Sequence, residues 1–149
     1  MKELNGELSS TLEELVNESS IQYESGNIAK AKDLLVEAFN KIPEPKEEYN
    51  ESYNYCSYVL NFIIDEGLNA NEAEQWLNEL IKIAETQQIW KGDIDFHKGK
   101  VYFELNKYEE AHKAFEVSVK EGKGFRLFED EDPKYLDFYR NPENTNNSS

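Results

Sequence analysis

The side chains that most often carry out catalysis in proteins are sparse in this sequence. Its two histidines, His97 and His112, stand fifteen residues apart, and no HExxH segment, paired cysteine or Asp-rich calcium loop accompanies them. No serine lies in a Gly-x-Ser-x-Gly elbow, and Gly122-Lys123-Gly124 lacks the spacing of a phosphate-binding loop. We therefore expect no enzymatic activity, no metal and no cofactor, with both histidines packed or at the surface.

The lone cysteine, Cys56, is predicted to be a small buried residue, because a single cysteine cannot form an internal disulfide. A reactive thiol needs basic neighbours or a helix N-terminus, whereas Cys56 lies among tyrosines in a predicted helix. The sequence also lacks an 18-residue apolar run and an apolar segment behind Lys2. These features together predict a cytoplasmic protein.

The net charge limits the classes of partner. The chain has 31 Asp and Glu against 16 Lys and Arg, which gives a net charge of −15. Phosphate groups and anionic membrane surfaces attract basic proteins, so we expect neither nucleic acid nor a membrane as the partner. The expected partner is a protein or peptide of basic character. The acidic run at 129–132 is predicted to be a solvated loop.

Apolar residues recur at helical spacings of three and four along most of the chain. Leu8, Leu12 and Leu15 begin the first such stripe, and Ser10 or Thr11 is expected to cap its helix. Five further stripes follow, the third of them belonging to a helix predicted from about residue 46 to 66. Asp132-Pro133 is typical of a helix start and predicts a seventh helix.

The fold class predicted from this pattern is all-α, with about three antiparallel helix pairs stacked side by side and closed by a C-terminal capping helix. No alternating β-pattern bounded by turns appears, so no sheet is expected. The helical array is assigned to residues 1–124. Residues 125–140 form an aromatic and acidic segment with the capping helix, and the polar residues 141–149 read as a disordered tail.

The second helix of each pair repeats one pattern. Ala31, Ala73 and Ala111 are each followed by a large apolar residue four positions later. These residues resemble the tetratricopeptide repeat, whose turn, alanine, large-residue and late-proline positions are matched by Gly26, Ile28, Ala31, Leu35, Ala38 and Pro43, and again by Gly99, Tyr102, Tyr108, Ala111 and Phe115.

The middle pair departs from the family pattern, since the alanines lie 42 and 38 residues apart rather than the family's ~34. The resemblance covers about residues 10–122 and implies a short right-handed superhelix. HEAT- or armadillo-like helix pairs and a nonrepetitive bundle are the alternatives.

The resemblance also implies that the first helix of each pair lines a concave face that binds an extended peptide or a helix. The residues assigned to that face form an apolar lane and an acidic lane. The expected partner-binding residues are Val16, Tyr58 and Phe96 of the first lane, Glu24, Glu66 and Glu104 of the second, and Tyr23, Tyr55, Phe62 and Phe103 beside them.

The third helix supports such a face from its own residues. Tyr55, Tyr58 and Phe62 form a second apolar stripe beside the one that contains Cys56. A helix that is apolar on two sides has to be covered on both. Three alternatives could cover the second apolar stripe. A partner could bind there, the segment from Phe125 to Tyr139 could fold back onto the aromatic residues, or neighbouring helices could pack against them.

The leading functional expectation is a noncatalytic protein–protein interaction module, such as a scaffold or adaptor, that binds a basic or peptide partner. A bacterial immunity protein that neutralises a basic toxin such as a nuclease is the first alternative, because acidic inhibitors match the nucleic-acid-facing surface of such toxins. A regulator that binds a peptide signal is the second.

Overall fold

The computed structural model describes residues 1–122 and 124–143. Within that part of the chain it contains seven α-helices and no strand, so the all-α prediction is confirmed, and adjacent helices pack against each other. The helices are α1 (Gly6–Glu24), α2 (Ile28–Lys41), α3 (Ser52–Asp65), α4 (Ala70–Gln87), α5 (Lys91–Glu104), α6 (Tyr108–Glu121) and α7 (Pro133–Arg140), with 3₁₀ turns at Lys46–Glu48 and Gly124–Phe128.

The chain divides into two compact units, an N-terminal unit of Met1–Gln88 and a C-terminal unit of Ile89–Ser149. The first holds α1 to α4 and the second α5 to α7. The predicted array of residues 1–124 therefore covers the first unit together with α5 and α6 of the second. Of the tail predicted for 141–149, residues 144–149 lie outside the described residues.

The helix boundaries correct two predictions. Asn5 caps α1 by accepting a hydrogen bond from the Leu8 N–H at 2.8 Å, so α1 begins earlier than Ser10 or Thr11. The predicted third helix is split into a 3₁₀ turn and α3, with Glu51 preceding Ser52. The prediction for the seventh helix is confirmed, because Asp132 accepts from the Lys134 N–H and Pro133 is the first helical residue.

In the N-terminal unit, the stripes predicted from helical spacing form the core. Leu12 of α1 packs with Ala38 and Ile42, and partly buried side chains surround them, including Tyr55 of α3. Cys56, Val59, Leu60, Ile63 and Ile64 of α3 are buried, as are Ala73, Leu77 and Leu80 of α4. α3 therefore buries one face completely, and this fixes the direction in which its other face points.

In the C-terminal unit, α5 and α6 approach closely at Gly99. A Cβ atom at that position would lie 2.5 Å from the Phe115 ring. Phe96, Phe128, Tyr135 and Phe138 surround the same ring, with centroid distances of 5.5, 5.2, 6.1 and 6.4 Å. An aromatic core thus joins α5 and α6 to the segment that follows them.

The α1–α2 and α5–α6 hairpins are joined by the same turn. Gly26 and Asn106 both have positive φ, +85° and +62°. The N–H of the next residue donates to a carbonyl five residues back at 2.8 Å in both turns, from Asn27 to Gln22 and from Lys107 to Tyr102. The two hairpins are therefore in register at an interval of 80 residues, which the sequence match of Ala31 with Ala111 also gives.

Candidate functional site

An open groove of about 470 Å³ lies between α1 and α3 in the N-terminal unit, and we call it the α1–α3 groove. α2 contributes to it through Leu35. α1 supplies Val16, Ser19, Ser20, Tyr23 and Glu24, and α3 with the residue that follows it supplies Tyr58, Asn61, Phe62, Asp65 and Glu66. Both walls are rigid helices, so the side chains of the groove are held on a fixed frame.

Aromatic side chains form the apolar part of the groove. Tyr23 and Tyr58 are each 44% exposed, and Phe62 is half-buried between α1 and α3. The Tyr23 ring meets the Phe62 ring edge-on with centroids 5.9 Å apart, and Tyr58 meets Tyr55 in the same way at 5.4 Å. These contacts restrict the ring orientations before any ligand binds.

Carboxylates occupy the other end of the groove, where α1 and α3 both finish. Glu24, Asp65 and Glu66 lie there, and among the described residues that line the groove none is Lys or Arg. The Tyr23 hydroxyl donates to Glu66 Oε2 at 3.0 Å. This hydrogen bond and the negative charge of Glu66 raise the pKa of Tyr23 above its ordinary value.

Six of the expected binding residues come together in this groove, namely Val16, Tyr23, Glu24, Tyr58, Phe62 and Glu66. Tyr55 lies beside them, where it contacts Tyr58 and packs on the core of the N-terminal unit. Burial raises the pKa of the Tyr55 hydroxyl. Tyr55 therefore supports Tyr58 from below and does not line the groove.

The other three expected residues, Phe96, Phe103 and Glu104, are covered by the chain's own C-terminal segment. Phe128 packs on Phe96 with centroids 4.9 Å apart, and Tyr135 packs on Phe103 at 5.4 Å. Glu104 accepts a hydrogen bond from the Tyr135 hydroxyl at 2.7 Å. In the C-terminal unit, self-coverage by this segment is what the structure shows.

Five groove residues are absent from the expected set, namely Ser19, Ser20, Leu35, Asn61 and Asp65. The Ser19 hydroxyl donates to the Ala31 carbonyl at 2.7 Å, so it ties α1 to α2 beneath the groove. The sequence does indicate that Ser19 lies at a helix contact. It falls 80 residues before Gly99, the small residue at the close approach of α5 and α6. The sequence predicts Leu35 to be a core residue, and nothing in the sequence indicates that part of its side chain lines the groove.

The cysteine and the two histidines, the residues of the sequence considered for catalysis, are buried or packed against neighbouring side chains. The Cys56 thiol is buried, and desolvation raises its pKa strongly, which keeps it protonated. His97 is buried, while His112 stacks on Tyr139 and its Nε2 lies 3.1 Å from the Tyr139 carbonyl oxygen. In residues 1–122 and 124–143, no group of three or more His, Cys, Asp or Glu is placed to hold a metal ion.

The negative charge is concentrated in the unit that contains the groove. Residues 1–88 hold 18 Asp and Glu against 6 Lys, a net charge of −12. Residues 89–149 hold 13 against 10 Lys and Arg, a net charge of −3. The α1–α3 groove is therefore set in a strongly negative field.

Comparison with protein-family models, with curated proteins and with solved structures finds no match to this chain. None of the helices in the described residues combines the length and apolar character that crossing a membrane requires.

Proposed function

We propose that this chain is a noncatalytic protein-binding module whose α1–α3 groove receives a basic segment of a partner protein. The observation that carries the proposal is the composition of the groove, which pairs exposed tyrosines with three carboxylates and contains no basic side chain among its described lining residues. Such a surface fits a ligand that has an apolar anchor close to Lys or Arg.

The apolar part supplies affinity because it is already ordered. Tyr23 is fixed from one side by Phe62 and from another by its hydrogen bond to Glu66. Burying apolar surface contributes roughly 25 cal/mol per Å², and a side chain that is already ordered loses little conformational entropy when the ligand arrives. Tyrosines held in this way are typical anchors of protein interfaces.

The acidic part supplies selectivity and association rate. A net charge of −12 on the N-terminal unit attracts a basic ligand and repels an acidic one before contact. Because Glu24 and Asp65 are exposed to solvent, added salt screens this attraction. Binding is therefore expected to weaken as the ionic strength rises.

We also propose that the chain belongs to the tetratricopeptide-like class of helical repeats. The shared turn geometry of the α1–α2 and α5–α6 hairpins supports this assignment. So do the small residues at the helix contacts, with Ala31 and Ala111 fully buried and Gly99 against Phe115. In this class, paired helices present side chains on a rigid frame.

The experiment is a fluorescence-anisotropy titration of the full chain with three labelled 15-residue peptides of equal length. One is amphipathic and basic, one amphipathic and acidic, and one basic without apolar residues. The proposal predicts that only the first binds at micromolar strength, and that its affinity falls severalfold between 50 and 300 mM salt. Equal binding of the three peptides, or no binding of the first, contradicts it.

Matched variants locate the binding. Tyr58→Ala and Glu24→Gln, both in the groove, are expected to weaken the basic amphipathic peptide by about tenfold, which is ~1.4 kcal/mol. Ile21→Ala and Glu14→Gln are the controls, because both residues are exposed on α1 but do not line the groove. A loss of affinity in the control variants as large as in the groove variants contradicts the proposed site.

A further inference from the structure

The C-terminal unit contains a segment of the chain bound on α5, the helix that corresponds to the α1 wall of the groove. At the interval of 80 residues set by the two hairpin turns, Val16, Ser20 and Glu24 of α1 correspond to Phe96, Lys100 and Glu104 of α5. The first three residues line the α1–α3 groove. The second three are covered by residues 128–135.

The segment of residues 128–135 contacts α5 at three positions. Phe128 packs on Phe96 with ring centroids 4.9 Å apart. The Lys100 ammonium pairs with Glu131 at 2.7 Å, and the Lys134 ammonium pairs with Glu104 at 2.7 Å.

The order of these contacts follows the direction of α5. From position 96 to position 104 a helix advances about 12 Å, and the residues that contact positions 96, 100 and 104 are 128, 131 and 134, one every third residue. An apolar residue thus lies at one end of the segment and a lysine six positions later at the other.

We infer, on the basis of the proposed function, that the α1–α3 groove takes a segment of a partner protein with the same spacing, an apolar side chain followed six positions later by Lys or Arg. The apolar side chain lies on Val16 beside Tyr58. The cation lies on Glu24, with Asp65 and Glu66 adjacent to it.

The middle position sets the specificity of the two surfaces. In α5 it is Lys100, which is 2% exposed and requires an acidic partner, supplied by Glu131. In α1 it is Ser20, so a Glu in the ligand gains no ion pair there and faces the three carboxylates of the groove. Like-charge contact of this kind rejects a wrong partner.

The probe is a fluorescein-labelled peptide with the sequence of residues 125–140 that carries Glu129→Ser, Asp130→Ser and Glu131→Ser, so that its basic residues outnumber its acidic ones, and it is titrated against the full chain. It is expected to bind with micromolar affinity. The peptides that also carry Phe128→Ala or Lys134→Glu are each expected to bind at least about tenfold more weakly, and so is a peptide with one alanine inserted between positions 131 and 134. The peptide that keeps Glu131 is expected to bind severalfold more weakly than the probe.

Variants of the protein distinguish the two surfaces. Glu24→Gln is expected to weaken the probe about tenfold, while Glu104→Gln, the corresponding change in the C-terminal unit, leaves its affinity unchanged within twofold. Loss with Glu104→Gln and not with Glu24→Gln would mean that the probe displaces the chain's own segment from α5, and the inference is then wrong.

Absence of probe binding also overturns the inference, as does insensitivity to the inserted alanine. The experiments distinguish an incorrect six-residue spacing from an incorrect proposed function. If the basic amphipathic 15-residue peptide binds in the groove while the probe does not, only the six-residue spacing is refuted. If neither binds, both are.

Discussion

Replacing Gly99 by Ala should destabilise the C-terminal unit, because α5 and α6 meet there without room for a methyl group. The added Cβ would lie 2.5 Å from both Cδ1 and Cε1 of Phe115. That ring is fully buried and cannot move aside, since four other aromatic rings surround it.

The magnitude follows from two opposing effects. Overpacking a well-filled core costs about 1–3 kcal/mol, whereas Gly to Ala inside a helix gains about 1 kcal/mol of helix propensity. Because the Phe115 ring is held on all sides, the upper part of the overpacking range, about 2–3 kcal/mol, applies, so we expect Gly99→Ala to lower the free energy of unfolding by about 1–2 kcal/mol.

The assay is urea denaturation followed by circular dichroism, with hydrogen exchange of the α5 and α6 amides to assign the loss to this unit. Gly6→Ala is the matched control, because a Cβ at Gly6, in the first turn of α1, meets nothing within 4 Å. The control should leave the N-terminal unit equally or slightly more stable. A neutral or stabilising Gly99→Ala would refute the close approach of α5 and α6.

Further predictions concern buried and hydrogen-bonded groups of the N-terminal unit. Lys46→Met should lower the free energy of unfolding by about 1–3 kcal/mol in urea denaturation, because the Lys46 ammonium donates to the carbonyls of Phe39, Asn40 and Ile42 at the end of α2. Glu66→Gln should bring the raised pKa of Tyr23 down towards its ordinary value, as read from the ¹³Cζ shift against pH. Since the folded state holds the Tyr23 proton more tightly than the unfolded chain, the same variant should reduce the loss of stability as pH rises above ~10, and an unchanged titration would contradict the hydrogen bond. The Cys56 thiol should react with a thiol reagent at a rate set by unfolding, with fast reaction in urea, and fast reaction of the native chain would contradict its burial.

Most of the helical structure could be predicted from local patterns. Gly26 and Asp132-Pro133 mark their boundaries correctly because a positive φ and a fixed proline φ act within one turn of chain. The start of α1 could not be placed in this way. Asn5, Ser10 and Thr11 are all able to cap, and the choice depends on packing of Leu8 and Leu12 in the core.

Helical spacing indicates which side chains of a helix share a face, but it does not indicate where another segment of the chain packs. Val16 and Glu24 share one face of α1 because of their helical spacing, and Tyr58 lines the same groove from α3. Phe96 and Glu104 have the same spacing, but residues 128–135 pack on them. The packing of residues 128–135 on α5, including the ion pair of Lys100 with Glu131, is a contact between residues far apart along the chain, and helical periodicity does not contain that information.

The most direct test of the central claim is a ¹H–¹⁵N correlation titration of the full chain with the basic amphipathic peptide. The account predicts saturable shift changes concentrated in residues 16–24 and 58–66, which form the α1–α3 groove. Changes confined to the C-terminal unit, or no changes at millimolar peptide, would contradict it.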